Sequence, residues 1–139
     1  MPNDQNAQRK LVDVFRIQVR WADFDANRHV NNVAYFTYFE QARIDWLTST
    51  GMQTTLENEG PVVVQTTCNY RTAIPFVDAL DVRVYVGPAG RKSFPTYYEI
   101  VGVGENAPVY ADGQAIMVWT DRGSGESRPV PDALRALLA

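Results

Sequence analysis

Hydrophobic positions along this chain change period and then change back. From Leu11 to Trp21 they alternate, with Phe15, Ile17, Val19 and Trp21 on one side and Arg16, Gln18 and Arg20 on the other, which is the two-residue period of a half-buried strand. From Val33 to Thr48 the spacing is helical. Val33, Ala34, Tyr35, Phe36, Tyr38, Phe39, Ala42, Ile44, Trp46 and Leu47 cover most of the helix circumference, leaving a narrow water-facing stripe of Thr37, Gln41, Asp45 and Thr48. Alternation returns at Val62 to Arg71, Leu80 to Val86, Ser93 to Val103 and Val109 to Thr120, segments rich in β-branched and aromatic residues and separated by Gly, Pro and Asn. A short helix from Pro131 to Leu138, with Asp132 in its first turn, is predicted at the C-terminal end.

A helix that is apolar nearly all round has to be enclosed. The predicted class is therefore α+β: an antiparallel sheet of about five strands wrapped around one long central helix, plus the short C-terminal helix. Asn31 or Asn32 is expected to cap the start of the long helix, and Gly51 to end it.

The chain has 139 residues, 45% hydrophobic and 12% aromatic, enough for one domain with a substantial core. Residues 11–139 read as that domain, and the polar stretch 1–10 as a mobile N-terminal arm. A formal charge of −3 and a pI near 5.1 argue against a nucleic-acid partner, which requires a basic stripe. Cys68 is the single cysteine and is read as a core residue, so there is no internal disulfide, and one histidine is too few for a histidine-rich metal cluster. No segment approaches the length of a bilayer span, and the first ten residues lack the apolar stretch of a secretory signal. A cytoplasmic protein with neither a metal nor a membrane partner is the expectation.

The chemistry is concentrated between Trp21 and Asn32. Asp23, Asp25, the lone His29 and the Asn31–Asn32 pair stand directly ahead of the long helix, where unpaired backbone N–H groups and the helix dipole can polarise a carbonyl. An Asp-x-Asp pair by itself is more often a turn cap than a catalytic device.

Joined to the aromatic-rich helix and the strands beyond it, the stretch resembles the hotdog-fold thioesterases of the 4-hydroxybenzoyl-CoA thioesterase type. The resemblance is carried by Asp23, Asp25, His29, Val30, Asn31 and Asn32, then by Tyr35, Tyr38, Phe39, Glu40, Ala42 and Arg43 on the helix. Asn69-Tyr70-Arg71 with Pro75 and Asp78, the Gly90 to Phe94 stretch, and Ala111 with Gly113 extend it, so that it covers about Val12 to Leu138. Arg28 departs from the family pattern, which has glycine there; this implies a different backbone path and an added cation beside the loop.

The resemblance implies an acyl-CoA thioesterase that yields a carboxylic acid and free coenzyme A, with no cofactor other than the coenzyme A of the substrate. Asp25 is implied as nucleophile or general base; aspartate has an ordinary pKa of about 3.9 and is ionised at neutral pH. The Asn32 backbone N–H is implied as the oxyanion donor, and Asp23 is read as structural. His29 contacts the thioester oxygen, orients Asp25 or bonds within the loop; it is an auxiliary at most, since a thiol of pKa roughly 8–9 leaves without an acid catalyst. Arg91 and Lys92, and more weakly Arg128, resemble the residues that hold coenzyme A phosphates, with an ordinary solvated turn as the competing reading.

Glu40 falls inside the apolar arc, where an ion pair with Arg43 is favoured over the catalytic glutamate that a related subgroup carries on this helix. Family members form homodimers or homotetramers with sites at the dimer interface. Trp21, Tyr35, Tyr38, Phe39 and Tyr70 line an acyl pocket or belong to the core. Two other functions compete: a hotdog enoyl-thioester hydratase or dehydratase, which the Asp25/His29 spacing fits poorly, and a non-catalytic acyl-CoA-binding module.

Overall fold

A computed structural model describes residues 9–52 and 58–139. The alternating segments form one antiparallel sheet: β1 (Lys10–Gln18), β2 (Glu59–Tyr70), β3 (Ala79–Val86), β4 (Ser93–Val101) and β5 (Val109–Asp121) lie in the order β1-β3-β4-β5-β2. α1 (Ala34–Ser49) packs on the inner face, and α2 (Asp132–Leu138) follows the last strand. Most of the expected N-terminal arm lies outside the described residues; Lys10 already pairs with Val86 at the start of β1. No helix among the described residues is long and apolar enough to cross a membrane.

Strand alternation builds the core. Leu80, Val82, Val84 and Val86 of β3 and Phe94, Thr96, Tyr98 and Ile100 of β4 all point inward and are buried beneath Tyr35, Tyr38, Phe39, Ala42, Trp46 and Leu47 of α1. Each large apolar side chain so enclosed contributes about 1.5–3 kcal/mol. α1 ends where Gly51 takes φ +75, the left-handed conformation of a helix stop, and its N–H bonds the Thr48 carbonyl.

Three details differ from the expected pattern. β1 stops at Gln18, because the Asp23 carboxylate draws the Arg20 N–H and guanidinium into a 3-10 turn over Trp21–Asp23. Trp21 is consequently 83% exposed, stacked on Phe76 at 6.0 Å rather than placed in the strand's apolar row. α1 is covered on one side only, since one sheet meets one face of a helix; Glu40 and Ile44 join Thr37, Gln41, Asp45 and Thr48 on an exposed arc.

β2 is an outer strand with one unpaired edge. A bulge between Val63 and Gln65 leaves Val62, Val63 and Val64 exposed along it. Such an edge is a template for adding another strand.

Candidate active site

The loop between β1 and α1 is a tight hairpin. Phe24 and Val30 bridge, the Asp25 N–H bonds the His29 carbonyl at 2.9 Å, and the Asn31 N–H bonds the Asp23 carbonyl at 2.7 Å. One limb thus carries Asp23 and Asp25, the other His29 and Asn31. Val30 is anchored from outside the hairpin by the Ile74 carbonyl at 3.0 Å. At the tip, Arg28 has φ +63. An arginine therefore holds a left-handed conformation suited to glycine, at a cost of about 1–2 kcal/mol.

Asp23 is buried and fully engaged. Its Oδ1 accepts from the Arg20 guanidinium at 2.9 Å, and its Oδ2 accepts from the Arg20 N–H at 3.0 Å and from the Tyr38 hydroxyl at 2.8 Å. Burial by itself raises a carboxyl pKa, but these donors outweigh it and hold Asp23 below the usual carboxylate range. Asp23 has no oxygen left for chemistry.

Asp25 is the opposite case. Its side chain is exposed, Oδ1 accepts from the Asn27 N–H at 2.9 Å and the His29 N–H at 3.3 Å, and Oδ2 has no partner among the described residues. One oxygen orients the group while the other is free to react. The His29 imidazole is exposed and makes no hydrogen bond among the described residues; only its backbone is used by the loop.

Backbone donors at the helix entrance can be accounted for one by one. The Asn31 N–H goes to Asp23, the Val33 N–H to Asn31 Oδ1 at 3.0 Å and the Ala34 N–H to the Asn31 carbonyl at 2.9 Å. The residue at the N-cap is Val33, with no side-chain cap, rather than either asparagine; Asn31 Oδ1 instead holds the turn just ahead of the helix. The Asn32 N–H has no acceptor among the described residues, and Asn32 is exposed. Its carbonyl accepts from the Tyr70 hydroxyl at 2.9 Å.

Tyr70 ends β2, and its ring meets Tyr35 edge to face at 4.8 Å. Cys68 and Tyr70 point to the inner face with Tyr35, between the end of β2 and the first turn of α1. Burial pushes the Tyr35 hydroxyl up, with Cys68, Tyr70 and the nearby Asp25 carboxylate adding to the rise. Burial likewise pushes the half-buried Cys68 thiol up to about 11, so it is a neutral, unreactive group at physiological pH. Tyr35 is itself buried and belongs to the core with Tyr38 and Phe39.

Several sequence candidates lie elsewhere. Arg91, Lys92 and Arg128 cluster at the far end of the sheet, where Lys92 donates to Ser127 and Arg128 reaches Glu126 at 3.4 Å. The Asp25 loop joins the near end, beyond Gln18, Val101 and Tyr70; a nine-residue strand such as β4 spans about 30 Å between the two. Glu40 and Arg43 form no ion pair: Glu40 is on the exposed arc, whereas Arg43 is buried and donates to the Tyr98 hydroxyl at 3.0 Å. The reason is the one-sided packing of α1, which separates residues three apart. A cavity of about 570 Å³ opens on the outer face of the sheet between Arg9, Arg71, Tyr97, Glu99 and Asp112. It contains none of the loop residues.

Two features have no counterpart in the sequence pattern. The Tyr70–Asn32 bond joins positions 38 residues apart and leaves no local signal. The isolation of the Asn32 N–H depends on Asn31 taking three bonds, which no spacing rule specifies.

The chain is similar to known proteins over most of its length. A family model described as the thioesterase-like superfamily matches residues 19–138. The PA2801 protein of Pseudomonas aeruginosa is 33% identical, with a TM-score of 0.85 over 94% of this chain and 100% of that one. The BH1999 gentisyl-coenzyme A thioesterase is 25% identical, with a TM-score of 0.79 over 91% of this chain and 100% of that one. The YsmA protein of Bacillus subtilis (strain 168) is 28% identical over 115 residues, 81% of this chain and 75% of that protein.

Proposed function

The chain belongs to the thioesterase-like superfamily and is a thioester hydrolase, and we propose that its substrate is an acyl-coenzyme A, cleaved at the Asp25 loop to a carboxylic acid and free coenzyme A. The observation that carries this reading is the pairing of two unspent groups on one hairpin: the free Oδ2 of Asp25 and the free N–H of Asn32. A thioester needs one group to add to its carbonyl carbon and another to take the negative charge that develops on its oxygen.

As nucleophile, Asp25 Oδ2 bonds the carbonyl carbon, the C–S bond breaks and the thiolate departs, leaving an acyl anhydride that water then opens. As general base, Oδ2 takes a proton from a water whose oxygen attacks the carbonyl, and that proton ends on the departing thiolate. In both routes the oxyanion is held by the Asn32 N–H at the positive end of α1. The leaving thiol has a pKa of roughly 8–9, so the exposed His29 need not protonate it. Water is the only co-reactant. The acyl group lies against Cys68 and the half-exposed Tyr70 at the end of β2, where the Tyr70 ring, backed by Tyr35, suits an aryl acyl group.

A homo-oligomer completes the site. The open edge of β2 with its exposed valines is suited to a second copy of this chain, as homodimer or homotetramer. Arg91, Lys92 and Arg128 are too far from their own Asp25 to share a thioester site with it, so a role on coenzyme A phosphates belongs to the site of another copy.

Thiol release from 4-hydroxybenzoyl-CoA and from short- and long-chain acyl-CoA esters tests the proposal. The parent releases thiol from at least one of them, and Asp25→Asn, an isosteric change at an exposed side chain, keeps the fold and loses turnover by at least a thousandfold. Undiminished turnover by Asp25→Asn removes the assignment.

A further inference from the structure

Tyr70 is half exposed, is not among the buried core residues, and yet bonds a backbone carbonyl at the entrance of α1. The carbonyl it chooses has a consequence for the residue bearing the free N–H. Two peptide planes meet at the Asn32 Cα. The plane ahead of it, which carries the Asn32 N–H, is held through its own carbonyl, that of Asn31, by the Ala34 N–H at 2.9 Å. The plane behind it is held at both ends, through the Val33 N–H on Asn31 Oδ1 at 3.0 Å and through the Asn32 carbonyl on the Tyr70 hydroxyl at 2.9 Å. Two of these anchoring groups, the Ala34 N–H and Asn31 Oδ1, are local to the helix entrance. Tyr70 alone ties it to the sheet, from a ring whose place is set by the edge-to-face contact with Tyr35.

Resting on the hydrolytic reading above, we propose that Tyr70 is a positioning residue: by holding the Asn32 carbonyl, its hydroxyl aims the unpaired Asn32 N–H at the thioester oxygen. It touches no reacting atom. Its effect is on how well one fixed donor is pre-aligned with charge that develops only in the transition state. Because its ring lies against Tyr35 and its hydroxyl on Asn32, the same side chain links the proposed acyl surface to the place where the oxyanion forms.

The distinguishing variant is Tyr70→Phe, which keeps the ring and its contact with Tyr35 and removes only the donor. With 4-hydroxybenzoyl-CoA we expect kcat to fall about tenfold while KM stays within twofold, since misaiming an oxyanion donor costs less than the roughly hundredfold or more of deleting one. Ligand binding supplies a second measure that a purely structural tie would not move. A thioether analogue, S-(4-hydroxybenzyl)-CoA, has no carbonyl and should bind parent and variant within twofold of each other. The trifluoromethyl ketone analogue places an oxyanion-like oxygen on the Asn32 N–H and should bind the variant about tenfold more weakly.

A Tyr70→Phe protein with kcat within twofold of the parent and equal affinity for both analogues overturns the proposal. If that variant does not fold, Tyr70→Met, which also lacks a donor, is read by the same criteria. Failure of the underlying reading looks different: Asp25→Asn then retains full thiol release, whatever Tyr70→Phe does.

Discussion

The Tyr38 hydroxyl and the Asp23 carboxylate meet at 2.8 Å inside the protein, fastening the base of the loop to the first turns of α1. Tyr38 is 2% exposed and Asp23 5%. Together with Arg20 this contact converts a carboxylate that resembles a catalytic partner of Asp25 into the fixed support from which Asp25 projects.

Asp23→Asn is therefore expected to lower stability by about 1–3 kcal/mol, because it removes a charge-assisted acceptor from buried donors. The folded-state pKa of Asp23 is depressed, so its contribution is fully present above the unfolded value of 3.8 and is lost as pH falls through the folded value. Thermal unfolding of parent and variant should differ at pH 7 and converge in strong acid. A constant gap across that range would contradict a stabilising role for the ionised Asp23.

Arg28→Gly should stabilise the protein. It removes the strain of φ +63, and the gain, about 1 kcal/mol, is reduced somewhat by the greater freedom of glycine in the unfolded chain. A rise of about 2–4 °C in Tm is expected, with kcat little changed because the Arg28 side chain has no ion-pair partner among the described residues. A fall in Tm would show that the guanidinium does more than occupy the turn.

Gly113→Ala should be severely destabilising. A Cβ there would lie 2.6 Å from the Thr67 carbonyl oxygen and 2.7 Å from Cζ of Phe39, and neither the β2–β5 ladder nor the core ring can yield cheaply. A loss of about 3 kcal/mol is expected by denaturant unfolding, against about 1–2 kcal/mol for asparagine at Gly104, where a Cβ has open space but φ is +108. Equal stability of Gly113→Ala and parent would refute the packing.

Asp13 of β1 faces Asp45 of α1, and its Oδ2 is buried without a partner. Burial first, and then the neighbouring Asp45 carboxyl, raise its pKa from 3.8 to about 6. A raised carboxyl binds its proton more tightly when folded, so stability is greatest in acid and declines as pH climbs from about 4 to 6. Asp13→Asn should abolish that decline and raise Tm at pH 7–8 by a few degrees, the partial exposure of the pair keeping the effect near 1 kcal/mol. An unchanged pH profile would remove the pair as its cause.

Much of the architecture is legible in residue order, because alternation and helical spacing are local properties. Val82, Val84 and Val86 announce their shared face, and Gly51 announces the end of α1. The catalytic candidate Asp25 stands out only through the family resemblance, since an Asp-x-Asp pair before a helix reads by itself as a turn cap. Glu40 and Arg43 mislead because helical spacing tells which residues share an arc but not which arc the sheet will cover. Arg91 and Lys92 mislead differently: nothing along the chain says that the turn before β4 and the loop before α1 open at opposite ends of the sheet.

What the chain order determined by itself was the set of elements, their type and the loop with two aspartates ahead of a helix, since each depends on interactions within a few residues. The family resemblance implied a structural Asp23 and a catalytic Asp25, but the bonds that spend Asp23, and the contact that ties the helix entrance to β2, exist only in the tertiary structure. They hang on Tyr38 reaching Asp23 and Tyr70 reaching Asn32. A hydrogen bond across a fold is set by where two surfaces come to rest against each other, and that position is a property of the whole packed core.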